Sequence, residues 1–274
     1  MLLRDRCWLW GHPEGCFNGK CGLTEDSRMT PMECCDYLNI GNTFMVPMGV
    51  KVDRRKYNKS FKRLRGVGWD CFQAAKSPEK IELLVADAKE FPNVKVGVFD
   101  DFKNWDDKDR LPRYRQFPIR NLYDVIDRMH NNEVRRLEAW MVLYTRLFGV
   151  DEQDDRDFQP YMDAFDGIIM WTWEESNIPL IPEKFEIFKK LTPKNRRMFG
   201  CYLYDFHLSK PSTPELVKWQ LDFYCEQIKK GDAEGIVFHT NTMADLDLEA
   251  YDVACAWLDE HGDEEVPDDM AGGM

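Results

Sequence analysis

The stretch Val94-Lys-Val-Gly-Val-Phe-Asp-Asp-Phe102 decides how this chain is read. A short apolar, β-branched run ends in two adjacent carboxylates, Asp100 and Asp101, and a polar loop follows. A buried parallel strand with acids at its C-terminal tip is how a barrel enzyme presents catalytic groups to a substrate. Two acids after a strand would equally serve as a helix cap or an exposed loop. The meaning of the pair therefore rests on whether the rest of the chain repeats the pattern.

It does. Working outward, apolar runs recur at Cys7–Gly11, Thr43–Pro47, Gly66–Cys71, Glu138–Thr145, Gly167–Trp173, Met198–Tyr204 and Gly235–Thr240, which with Val94–Phe99 makes eight. Most are continuous rather than alternating, as expected of strands covered on both faces. Helical segments lie between them. Thr30-Pro-Met-Glu33 reads as a capping box with proline at the first helical position, and Ser77-Pro-Glu and Ser212-Thr-Pro-Glu215 read as the same device. They precede helices expected over 81–91 and 216–229; further helices are expected over 119–129, 183–191 and 246–258. In the fifth unit only 158–165 looks helical.

Eight β–α alternations predict a single (β/α)8 TIM barrel over residues 1–260. A doubly wound open sheet is the competing architecture. It would carry a glycine-rich phosphate turn after its first strand, and Gly11-His-Pro-Glu-Gly15 is not one. Residues 261–274 are acidic and glycine-ended, and a disordered tail is expected there.

Composition narrows the function. The 274 residues are 43% hydrophobic and 31% charged with a net charge of −12, which disfavours a nucleic-acid or anionic membrane partner. No run approaches the ~18 apolar residues of a membrane span. The nine cysteines are odd in number and several lie within apolar runs, which fits reduced thiols and a cytoplasmic location.

The loops after barrel strands build the active site, so the strand tips hold the candidate residues. They carry Trp10 and His12, Met48, Asp70, Asp100 and Asp101, Tyr144, Trp171 with Trp173 and Glu174, Tyr204 with Asp205, and His239 with Asn241. Acids mixed with flat aromatics suit a small carbohydrate or glycoside. Pyranose rings stack their C–H faces on Trp and Tyr, while carboxylates and amides bind hydroxyls. Opposed carboxyls could then supply the acid and the nucleophile or base of glycoside cleavage, with Asp101 paired to Asp100, Asp205 or Glu174. Two close acids disfavour double ionisation, so one can keep its proton as a general acid. Because side chains alternate along a strand, only one of the pair would face the mouth unless the chain already turns there.

Two alternatives remain open. Asp70, Asp101, Glu174, Asp205 and His239 could hold Mg²⁺ or Mn²⁺ for a sugar isomerase, epimerase or lyase. A barrel that binds sugar without turning it over would keep the aromatics and lack a productive acid pair. The H-x₃-C-x₄-C spacing of His12, Cys16 and Cys21 is looser than a structural zinc site.

Asp100-Asp101 at the end of the fourth strand resembles the paired aspartates of the O-GlcNAcase-type hexosaminidases. The resemblance implies that Asp100 orients the 2-acetamido group of the substrate as internal nucleophile and that Asp101 is the acid/base. More broadly the chain resembles glycoside-hydrolase-like (β/α)8 barrels through Asp100-Asp101-Phe102, Trp171-Thr-Trp173 and Gly200-Cys-Tyr-Leu-Tyr-Asp205.

Overall fold

The structure, a computed structural model, describes residues 1–104 and 113–268. Eight parallel strands close into one barrel: β1 (Cys7–Gly11), β2 (Asn42–Met45), β3 (Gly66–Asp70), β4 (Val94–Phe99), β5 (Glu138–Tyr144), β6 (Gly167–Trp171), β7 (Arg196–Tyr202) and β8 (Gly235–His239). Each pairs with its sequence neighbours and β8 closes on β1, so the (β/α)8 expectation holds and no open sheet forms. Helices α1 (Pro31–Tyr37), α2 (Arg54–Ser60), α3 (Glu82–Glu90), α4 (Ile119–His130), α5 (Glu152–Met162), α6 (Ile181–Leu191), α7 (Pro214–Lys229) and α8 (Glu249–His261) follow the strands in turn.

Glycine on one strand makes room for an aromatic on its neighbour. Phe44 pairs with Gly68, Trp140 with Gly167, and Trp171 with Gly200. A Cβ at Gly167 would lie 2.5 Å from the Trp140 ring, and one at Gly200 only 1.9 Å from that of Trp171. Paired residues in a parallel ladder share a face, so these indoles fill the barrel interior in layers. The register then continues Tyr202 with His239 and His239 with Trp10, which brings the upper layer to one place.

At α1 the capping box forms as expected: Thr30 Oγ1 accepts from the Glu33 N–H, and Glu33 Oε2 accepts from the Thr30 N–H. Ser77 makes no side-chain cap; Pro78–Ile81 is a 3₁₀ turn and α3 begins after it. Thr213, not Ser212, stands at the N-terminus of α7, and its N–H and hydroxyl both donate to Glu175 in the segment after β6. Helix α5 starts six positions earlier than its apolar residues suggest, because Asp151 caps it by accepting from the Gln153 and Asp154 N–H groups.

Residues 261–268, assigned to a tail on composition, pack across the bottom of the barrel. Gly262, Glu264 and Val266 exchange backbone hydrogen bonds with residues 1–4, and Val266 is buried. Residues 269–274 lie outside the described residues. No helix among the described residues is long and apolar enough to cross a membrane.

Candidate active site

The C-terminal end of the barrel opens into a cavity of about 230 Å³. Of the residues singled out in the sequence, Trp10, His12, Met48, Asp100, Asp101, Tyr144, Trp171, Trp173 and His239 line it together. Asp101 explains how both acids arrive. Its φ is +52°, in the left-handed region that Asp tolerates better than most residues. The chain therefore turns immediately after β4, and the strict alternation that would hide one of the two carboxyls is broken.

The acid pair is held from several sides. The Tyr144 hydroxyl donates to Asp101 Oδ1 at 2.9 Å. Burial, with the charge of Asp100 and Asp101 beside it, pushes the Tyr144 phenol well above its ordinary range, and Tyr202 is pushed up in the same way. Both stay protonated donors. Behind the turn, Phe102 is buried against Phe99, Phe117 and Phe165. Lys103 is 2% exposed and its ammonium meets Asp154 at 3.1 Å and Asp155 at 3.2 Å.

The floor is aromatic and neutral. His12 Nδ1 lies 2.7 Å from the Val46 carbonyl, which can only accept, so that nitrogen carries the proton. His12 Nε2 is then a lone pair, and His239 Nε2, 3.4 Å away, is the donor toward it. Burial lowers His12 to about 4 and takes His239 well below its ordinary value, the latter helped by the neighbouring imidazole. Trp171 packs on Tyr202 at 4.7 Å and on Trp10 at 5.5 Å. Asp100 and Asp101 thus bring the only carboxyl groups among the described lining residues.

Five other residues singled out in the sequence sit elsewhere. Asp205 is 2% exposed and accepts from the His207 and Leu208 N–H groups, shaping the turn between the short antiparallel segments Tyr204–Asp205 and Lys210–Pro211. Glu174 accepts from Asn177, at the start of a 3₁₀ segment. Tyr204 donates to the Cys21 carbonyl, and Asn241 ties His12 to Met29 through their backbones. Asp70 stands beside the acid pair without lining the cavity. Burial raises it to about 6 against the pull of the Phe72 and Asp100 backbone N–H groups. No group of three or more His, Cys, Asp or Glu side chains among the described residues is arranged to hold a metal ion.

Phe17, Cys21, Tyr202 and Phe206 complete the lining. Tyr202 was available to period-two reasoning, since it follows Gly200 on the inward face. Extending β7 to Tyr204 misplaced the tip by two residues. Phe17 and Cys21 come from the long loop between β1 and α1, which has no periodicity to read.

The fold and mouth define a (β/α)8 barrel with an acid pair in an aromatic pocket. No family model and no curated protein matches the chain. It is similar in fold to active domain 2 of a thermostable chitinase from Pyrococcus furiosus, studied as catalytic-site mutants complexed with chito-oligosaccharides. The TM-score is 0.60 at 11% identity, covering 95% of this chain and 97% of that one. A tryptophan synthase from M. tuberculosis gives 0.48 at 10% identity, covering 93% of each. At such identities the likeness concerns the fold.

Proposed function

We propose that the protein is a glycoside hydrolase acting on a 2-acetamido sugar, with Asp101 as acid/base and Asp100 orienting the acetamido group. The observation that carries this reading is that the two carboxylates in the described lining are sequence neighbours at the tip of one strand. Acid and nucleophile placed on opposite sides of a sugar come from carboxyls separated by about 5 Å or more across the cleft. Neighbours on one turn share a side, so the nucleophile is supplied by the substrate.

Asp101 gives its proton to the glycosidic oxygen as the C1–O bond breaks. The acetamido carbonyl oxygen forms the new bond to C1, and the amide N–H that becomes acidic is held by the Asp100 carboxylate. Water then attacks C1, releases the acetamido oxygen, and passes its proton to Asp101, which restores the starting state. The Tyr144 hydroxyl donates to Asp101, the Tyr202 hydroxyl stands in the same space, and Trp171 and Trp173 offer flat faces to the ring.

The test is turnover of 4-nitrophenyl N-acetylglucosaminide by wild type, Asp101→Asn and Asp100→Asn. A loss of about 100-fold or more in each variant is expected. Turnover unchanged in both would remove the assignment.

A further inference from the structure

Arg146 follows β5, two residues past the tip that carries Tyr144, and is exposed at the lip of the cavity. Its guanidinium carbon lies 5.0 Å from the centroid of the Tyr144 ring and 5.5 Å from that of Trp173. Both rings line the cavity. The polar contact of Arg146 is a long one, 3.4 Å to the Asn104 side-chain oxygen, and no carboxylate pairs with it among the described residues. Its charge reaches inside, where it acts on the Tyr202 phenol against the two aspartates.

This is unusual placement in a chain of net charge −12. Lys103 at the same end is paired with Asp154 and Asp155, Arg115 with Asp154 and Asp157, and Lys210 with Glu175, while Lys20 donates to the Cys16 carbonyl. A guanidinium stacked on two rings is held in one orientation with most of its donors unspent. Its fork geometry matches a carboxylate, sulfate or phosphate group. A mouth already holding two carboxylates would repel such a group without it.

Tyr144 also fixes the side from which an anion would enter. Its hydroxyl holds Asp101, whose proton goes to the leaving oxygen, and its ring carries Arg146. We infer that Arg146 is an anion-binding subsite on the leaving-group side, and that the natural ligand is a glycoside whose aglycone bears a carboxylate, sulfate or phosphate. The inference rests on the proposed reaction for the direction of the aglycone, but binding alone tests it.

The experiment measures Kd by tryptophan fluorescence for phenyl, 4-carboxyphenyl, 4-sulfooxyphenyl and 4-phosphonooxyphenyl N-acetylglucosaminides. The full chain carrying Asp101→Asn keeps the probes intact, with and without Arg146→Gln or Arg146→Lys. At least one anionic probe is expected to bind about three- to tenfold more tightly than the phenyl glycoside at low salt. Arg146→Gln is expected to erase that gap, Arg146→Lys to restore part of it, and the best probe identifies the anion. Equal Kd for neutral and anionic probes, a gap that survives Arg146→Gln, or no binding of any probe would overturn the inference. Tight anionic binding with no turnover of the same glycosides by wild type would instead count against the hydrolase reading and leave the subsite standing.

Discussion

Gly200→Ala puts the fold and the pocket floor to the same test. The added Cβ would lie 1.9 Å from Trp171 Cδ2, where ordinary contact begins at 3.4 Å, so the indole must retreat by about 1.5 Å. Trp10, Tyr202 and His239 surround it with centroids at 5.5, 4.7 and 6.0 Å, leaving it nowhere to go without displacing the floor. Overpacking of this kind costs about 1–3 kcal/mol. Trp171→Ala alone should cost about 3–5 kcal/mol, the usual range for a fully buried indole. In the double variant the methyl meets empty space, so its penalty disappears and the two changes should fall short of additivity by about 1–3 kcal/mol. Urea unfolding followed by far-UV circular dichroism measures all three. A Gly200→Ala protein within about 0.5 kcal/mol of wild type, or an additive double variant, would refute the β6–β7 register and the inward position of Trp171.

Two titrations oppose one another below neutrality. The raised carboxyl of Asp70 contributes stability that is full below its unfolded value near 3.8 and is lost as pH rises through about 6. His12, lowered to about 4, contributes stability present above its unfolded value near 6.5 and lost as pH falls through about 4. Asp70→Asn should therefore be stabilised relative to wild type at pH 7.5 by about 1–3 kcal/mol and little changed at pH 3.5, while His12→Gln should flatten the acid-side loss; urea midpoints across pH 4–8 check both. Lys103→Met leaves the buried Asp155 carboxylate without its cation, Asp154 keeping Arg115, and should cost about 3–5 kcal/mol, read by thermal or urea unfolding, with a cost under about 1 kcal/mol speaking against the buried pair.

The eight strands could be read because strands buried on both faces are nearly pure apolar runs, and the closed barrel leaves few ways to arrange eight of them. What escaped was set by groups that carry no period. Helix α5 opens with Glu152, Asp154 and Asp155, acids that suit a helix N-terminus electrostatically but hide its apolar spacing. The segment around Leu246 is apolar enough to look helical, yet α8 begins only at Glu249. At the site, nine residues that stand at strand tips in the sequence do line one cavity. Asp205 and Glu174 were chosen on the same argument, but β7 ends at Tyr202 and β6 at Trp171, so both acids fall in connecting turns. The left-handed turn at Asp101, on which the shared orientation of the acid pair depends, is a tertiary property of a residue that adopts several backbone conformations.

The proposed chemistry places the nucleophile on the substrate and its orientation on Asp100. The most direct measurement is kcat/KM for a matched pair of aryl glycosides, one with a 2-acetamido group and one with a 2-hydroxyl, on wild type and Asp100→Asn. The account predicts that wild type cleaves the acetamido glycoside at least about 100-fold faster and that Asp100→Asn loses most of that preference. Comparable cleavage of both glycosides by wild type, or a preference that survives Asp100→Asn, would contradict it.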